Sequence, residues 1–104
     1  MNLEEKIKEL DNPWSPIEIA SFNDQVVRLA LFRGEYHWHQ HENEDEFFYL
    51  VKGQIIIQIK DQEDIELASG EMAVVPKGVE HCPNSEGDSY VIMIEPKGLE
   101  SEGD

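Results

Sequence analysis

The chain has 104 residues, of which 39% are hydrophobic and 9% aromatic, and this size and composition predict one globular domain rather than a disordered chain. Its 23 acidic and 8 basic residues give a formal net charge of −15 at pH 7, so we expect neither nucleic acids nor anionic membrane surfaces as partners. The single cysteine excludes an internal disulfide, and the apolar segments are shorter than the roughly 20 residues of a membrane-spanning helix. Because the first residues also lack a secretory signal, we expect a cytoplasmic protein.

A short helix is predicted at the N-terminus. Apolar residues recur at helical spacing from Leu3 to Leu10, behind Asn2 as a suitable N-cap and with glutamates in the first turn. Prolines on both sides of Trp14 end this pattern. Residues 1–16 are therefore predicted to form an N-terminal arm that contains the helix.

Short apolar segments separated by turn-forming residues follow the arm. The predicted strands are Ile17–Phe22, Val26–Arg33, Tyr36–His41, Phe47–Val51, Gln54–Lys60, Ile65–Leu67, Met72–Val75 and Tyr90–Glu95. Strands at this regular spacing, without helices between them, are typical of an antiparallel sandwich or barrel. We expect an all-β barrel over residues 17–96, followed by an acidic tail over residues 97–104 that can bury little surface.

The pattern of apolar residues differs between strands. Ile55, Ile57 and Ile59 alternate with mostly polar residues, so we expect them to share one buried face. The segments Phe47–Val51 and Tyr90–Glu95 are instead apolar on both faces. A second layer of the same chain would cover one face and a partner subunit the other, so we expect a homodimer.

The segment from His37 to Glu46, H-W-H-Q-H-E-N-E-D-E, is rich in candidate metal ligands. Side chains two positions apart on an extended strand point to the same side, so His39 and His41 are predicted to present their imidazoles together. The polar residues 42–45 are typical of a turn, and a hairpin there would bring Glu46 back beside the two histidines.

A fourth candidate ligand, His81, follows a turn predicted at Pro76 and Gly78. Three imidazoles and one carboxylate would occupy four positions around a divalent cation such as iron, manganese, nickel or zinc. Metals that prefer six ligands would keep two positions for water, substrate or dioxygen. The sequence pattern therefore favours a metal site.

Other residues near these motifs have two interpretations each. His37 lies on the same side as His39 and is either a half-exposed polar residue or a substrate contact, a proton carrier or a replacement for His39. Cys82 is either a small core residue or a soft metal ligand. Acidic side chains of the turn are either solvated or rival carboxylate ligands: Glu42, Glu44 and Asp45. The expected apolar lining of a pocket comes from among Tyr36, Phe48, Met72, Tyr90, Ile92 and Met93.

The two segments resemble the paired motifs of the cupin superfamily, G-x5-H-x-H-x3/4-E-x6-G and G-x5-P-x-G-x2-H-x3-N. The matching residues are His39, His41, Glu46 and Gly53 in the first motif and Gly70, Pro76, Gly78 and His81 in the second. Two residues depart from the patterns, because Gly34 lies one position too close to His39 and Asn84 one position too close to His81. Neither departure removes a ligand position.

The resemblance implies a small antiparallel jelly-roll barrel, usually dimeric, in which His39, His41, Glu46 and His81 are the metal ligands. The 16 residues between Gly53 and Gly70 are similar in number to those of small single-domain microbial cupins. Cupins include dioxygenases, decarboxylases and isomerases of sugars or sugar phosphates, such as mannose 6-phosphate isomerase. The resemblance therefore implies a metalloenzyme acting on a small organic molecule, with a non-catalytic ligand-binding module or a structural zinc site as alternatives.

Overall fold

The computed structural model describes residues 1–98, in which one short helix precedes a set of antiparallel strands. In chain order the elements are α1 (Leu3–Ile7), β1 (Ile17–Phe22), β2 (Gln25–Glu35), β3 (Glu46–Lys52), β4 (Gln54–Ile59), β5 (Ile65–Ala68), β6 (Met72–Val75) and β7 (His81–Pro96). The strands are hydrogen-bonded in the order β1-β2-β7-β3-β6, and β4 pairs with both β5 and β7. The predicted all-β jelly-roll barrel with a short N-terminal helix is confirmed. The predicted acidic tail lies outside the described residues from position 99 onward.

Strand β7 connects the two halves of the barrel. Its residues 84–85 and 89–96 pair with β2 and its residues 90–94 with β3, whereas residues 81–84 pair with β4. The sequence predicted a strand only over Tyr90–Glu95, and this prediction is wrong about where the strand begins, because β7 already starts at His81. Glu86, Gly87 and Asp88 are exposed where the register between β2 and β7 shifts, so the turn-forming residues interrupt the pairing without ending the strand.

The predicted strand Tyr36–His41 is also absent from the described chain. The only β-pairing in this segment is an isolated bridge, in which His39 and His81 exchange backbone hydrogen bonds of 3.0 and 2.9 Å. The alternating residue types H-W-H-Q-H imitate a strand, but the other backbone groups of the segment are not part of a ladder. The bridge nevertheless fixes His39 beside the start of β7.

Two apolar clusters hold the barrel together. The first fills its interior and contains Ala30, Phe32, Phe48, Leu50, Ile55, Ile57, Ile59, Leu67, Val75, Val91 and Met93. The predicted buried face of β4 is confirmed, because Ile55, Ile57 and Ile59 are at most 7% exposed. In the second cluster, Ile7 and Leu10 of the N-terminal arm pack on Leu29 and Leu31 of β2. The arm therefore covers part of the outer face of the sheet.

Within residues 1–98, no helix has the length and apolar character needed to cross a membrane. The expected cytoplasmic location and the predicted domain boundaries stay predictions.

Candidate metal centre

Glu46 lies at the centre of the histidine cluster. It is the first residue of β3 and is 1% exposed. Its Oε1 atom lies 2.9 Å from His81 Nε2 and 3.8 Å from His39 Nε2, and its Oε2 atom lies 3.4 Å from His41 Nε2. The fold thus brings together, in a buried position, the four side chains predicted as ligands from the two sequence motifs.

Backbone contacts between the two motifs position this cluster. Glu46 pairs with Val75 at the end of β6, just before the turn that leads to His81. In that turn the Gly78 N–H donates to the carbonyl of His41 at 2.8 Å. The Asp45 carboxylate accepts a hydrogen bond of 2.9 Å from the Lys77 N–H. The acidic turn is therefore tied to the second motif, and Asp45 has a structural contact there.

The ring orientation of two histidines is fixed by backbone carbonyls. His39 Nδ1 lies 3.0 Å from the carbonyl oxygen of His37, and His81 Nδ1 lies 2.9 Å from that of Val79. A carbonyl can only accept, so each Nδ1 carries the proton, and Nε2 is the atom that faces Glu46. A neutral ring in this tautomer offers its Nε2 lone pair to a cation, which is the arrangement usual for metal-binding histidines.

The two buried carboxyl groups of this region have pKa values shifted in opposite directions. Burial alone would raise the pKa of Glu46, but the three histidines around it, His39, His41 and His81, lower it well below its ordinary value. Burial raises the pKa of Glu95, the nearby charge of Glu46 raises it further, and Arg28 opposes the shift. Glu46 is therefore held as an anion, the form in which a carboxylate binds metal.

Glu95 is a residue that sequence reasoning missed. It lies near the end of β7 and is 0% exposed. In the described residues, two groups have ligand atoms that all lie within 4.8 Å of one another: His39 with Glu46 and His81, and His41 with Glu46 and Glu95. The alternation of Val91, Met93 and Glu95 on one face of a strand was the available signal, since it places a carboxylate at an inward position.

An apolar cavity opens on the side of the cluster formed by His39 and Glu46. The other lining residues are Trp14, Pro16, Ala30, Phe32, Tyr36, Phe48, Pro83 and Met93. Trp14 stacks on Tyr36 with ring centroids 4.6 Å apart, and its indole N–H donates to the carbonyl of Arg33 at 2.9 Å. The N-terminal arm therefore supplies one wall of the cavity, a contribution that the sequence did not reveal.

Three of the six residues from which the pocket lining was expected do line the cavity: Tyr36, Phe48 and Met93. The other three lie elsewhere, because Met72 is 56% exposed and Tyr90 and Ile92 pack against the second apolar cluster. The reason is strand register, because an inward Met93 turns its neighbour Ile92 to the opposite face.

The remaining candidates lie outside both groups of ligand atoms among the described residues. His37 is exposed, and its ring centroid lies 3.9 Å from that of Tyr36 and 5.3 Å from that of His39. Its predicted role at the cavity mouth stays a prediction. Cys82 is fully buried, and burial raises the pKa of its thiol, in keeping with a small core residue. The acidic side chains of Glu42 and Glu44 do not join either group.

Comparison with known proteins points to one family. The sequence profile of the family described as Cupin domain (Cupin_2) matches residues 29–95. A solved cupin-2 domain containing protein from Shewanella frigidimarina is 39% identical to this chain, with a TM-score of 0.90. The superposition covers 93% of this chain and 94% of that chain.

Dioxygenases are among the more distant relatives. The 3-hydroxyanthranilate 3,4-dioxygenase of Xanthomonas euvesicatoria is 28% identical over 91 residues, which cover 85% of this chain and 50% of that enzyme. This chain thus spans about half the length of that relative. Hydroquinone 1,2-dioxygenase from Sphingomonas sp. TTNP3, solved with 4-hydroxybenzoate bound, has a TM-score of 0.80 over 95% of this chain and 75% of that chain. Its 17% identity shows a shared fold and nothing more.

Proposed function

This chain belongs to the cupin family, and from that membership we propose that it is a metal-dependent dioxygenase acting on a small hydroxylated aromatic molecule. The observation that carries this proposal is the aromatic cavity bordered by His39 and Glu46. One distant relative, 28% identical over 91 residues, is named 3-hydroxyanthranilate 3,4-dioxygenase, which supports the same class of substrate.

The proposed ligands are His39, His41, Glu46 and His81, whose donor set suits iron(II), manganese(II) or nickel(II) as well as zinc. We favour iron(II), because an ion with histidine and carboxylate ligands and open positions is the arrangement used by non-haem oxygenases. When bound, iron(II) supplies Lewis acidity and redox chemistry with dioxygen. The protein contributes the fixed Nε2 atoms and the anionic carboxylate that hold such an ion.

The cavity determines which molecules fit beside the ligands. Trp14, Tyr36 and Phe48 give the cavity an aromatic lining, which favours an aromatic ligand over a polar one. The polar boundary lies at His39 and Glu46, so the hydroxyl group of a bound ring would point toward them. Within the described residues no lysine or arginine lines the cavity, which argues against a sugar phosphate as substrate.

The proposal is tested by measuring dioxygen uptake. We expect the protein loaded with iron(II) to consume dioxygen when 3-hydroxyanthranilate, hydroquinone or catechol is added, and the same protein loaded with zinc to consume none, because zinc has no redox chemistry. Ligand binding is followed in parallel by calorimetry. Saturable binding of these molecules without dioxygen uptake would contradict the dioxygenase proposal and support a non-catalytic binding module.

We also propose a homodimer formed through the outer face of the sheet. Tyr49 of β3 pairs with Met72 and with Ile92, giving an apolar row across three strands. Met72 is 56% exposed and Val74 is 47% exposed on the same strand. Apolar residues that continue across neighbouring strands at the surface usually mark an interface.

A charge placed in this row is expected to separate the subunits. We expect wild-type protein to be a dimer by analytical ultracentrifugation and the Met72→Glu variant to be a monomer, since two like charges would face each other across a two-fold axis. Ile56 is 36% exposed and lies on β4, outside this face, so Ile56→Glu is the matched control and should stay dimeric. A dimeric Met72→Glu variant would contradict the proposed interface.

A further inference from the structure

A second buried carboxylate, Glu95, lies next to Glu46. Glu95 is 0% exposed and pairs with Val26 in the ladder between β2 and β7. One carboxylate oxygen of Glu95, one of Glu46 and one ring nitrogen of His41 lie within 4.8 Å of one another. In the described chain, neither Glu95 nor His41 lines the cavity.

The contacts of Glu95 leave its charge incompletely balanced. Its Oε1 atom lies 3.4 Å from Arg28 Nη1, a long hydrogen bond. Its Oε2 atom is buried and has no hydrogen-bond partner among the described residues. Arg28 is also shared with Glu18, whose Oε1 lies 3.6 Å from Nη2. A carboxylate oxygen that is buried without a partner is strongly unfavourable. The carboxylate group of Glu95 also lies next to ligand atoms of two other residues, and this combination requires an explanation.

We propose that Glu95 is a further metal ligand, binding an ion together with His41 and Glu46. The inference rests on the proposed function, because it concerns the ion held by the same cluster. With Arg28 counted, a divalent ion beside two carboxylates leaves one net positive charge, whereas the same site with a neutral Glu95 would carry two. A second carboxylate ligand would favour manganese(II) or iron(II) over zinc, since carboxylate oxygens suit manganese.

The test compares two variants that remove one negative charge each. Metal-free protein is titrated with Mn²⁺ in competition with a chelator, and the water-proton relaxation of bound Mn²⁺ reports the number of exchangeable waters. For Glu95→Gln we expect the Mn²⁺ affinity to fall by at least about tenfold. Glu18 contacts the same arginine but is 67% exposed, so Glu18→Gln should change the affinity by less than about twofold. In Glu95→Ala, the space left for a water ligand should raise the relaxation enhancement.

Several outcomes separate this inference from the proposed function. Wild-type protein that binds one Mn²⁺, together with Glu95 variants of unchanged affinity, would overturn the inference and leave the proposed function intact. A reduced affinity without any change in relaxation would also overturn it, since Glu95 would then act only through its charge. Wild-type protein that binds no Mn²⁺ would overturn both. Circular dichroism of the metal-free variants checks that they are folded. If Glu95→Ala does not fold, the Mn²⁺ affinity can still be measured with the isosteric Glu95→Gln.

Discussion

Replacing Glu46 by glutamine is expected to abolish stoichiometric metal binding, with an affinity for Fe²⁺ or Mn²⁺ reduced by at least about 100-fold. Loss of a residue that only orients a ligand typically lowers metal affinity by about 10- to 100-fold, and loss of the anionic ligand itself should exceed that range. The carboxylate oxygens of Glu46 lie within 3.8 Å of all three histidines. The variant therefore removes both the negative charge and the common neighbour of the cluster.

The matched control for this prediction is Glu44→Gln, which removes the same charge two positions earlier. Glu44 belongs to the acidic turn that the sequence offered as a source of rival ligands, and it lies in neither group of ligand atoms among the described residues. Elemental analysis of both variants and calorimetric titration of the metal-free proteins measure the effect. Equal metal content in Glu46→Gln and wild type would contradict the proposed ligand set, and a loss in Glu44→Gln would show that the turn supplies a ligand.

Much of this cluster was predictable because local rules determine its parts. The turn at Pro76 and Gly78 depends on residues adjacent in sequence, and it positions His81 as predicted. The prediction that His39 and His41 approach the same carboxylate also agrees with the structure, although the strand assumed for them is absent. One backbone bridge between His39 and His81 holds the segment in place of a continuous ladder.

Other features were not predictable because they depend on contacts between distant residues. The pairing of β7 with both β2 and β4 carries the strand through residues that form turns elsewhere. The contact of Trp14 with Tyr36 requires the N-terminal arm to lie against the barrel. The position of Glu95 beside His41 requires the register of two strands, and a shift by one residue would turn Glu95 outward.

Gly53→Ala is expected to destabilise the metal-free protein by about 2 to 6 kcal/mol. Gly53 connects β3 to β4 with a φ of +113°, a backbone conformation that residues with a side chain rarely adopt. A Cβ atom there would lie 2.3 Å from Ser89 Oγ and 2.9 Å from Ser89 Cα, so β7 itself would have to move. The Ser89 hydroxyl also accepts a hydrogen bond of 3.1 Å from the Gln54 N–H, which the displacement would weaken.

Gly70→Ala separates the effect of crowding from the effect of backbone conformation. Gly70 has a φ of +89°, but a Cβ atom there would meet nothing within 4 Å, so we expect a loss of only about 1 to 2 kcal/mol. Urea unfolding of both metal-free variants measures the difference, and equal losses would contradict the role of the Ser89 contact. Neither glycine belongs to the candidate ligand groups, so saturating metal should stabilise folded Gly53→Ala and wild-type protein by the same increment. Gly53 and the histidines of the same motif would then have separable roles. Gly53 would join β3 and β4 against β7, and the histidines would hold the ion.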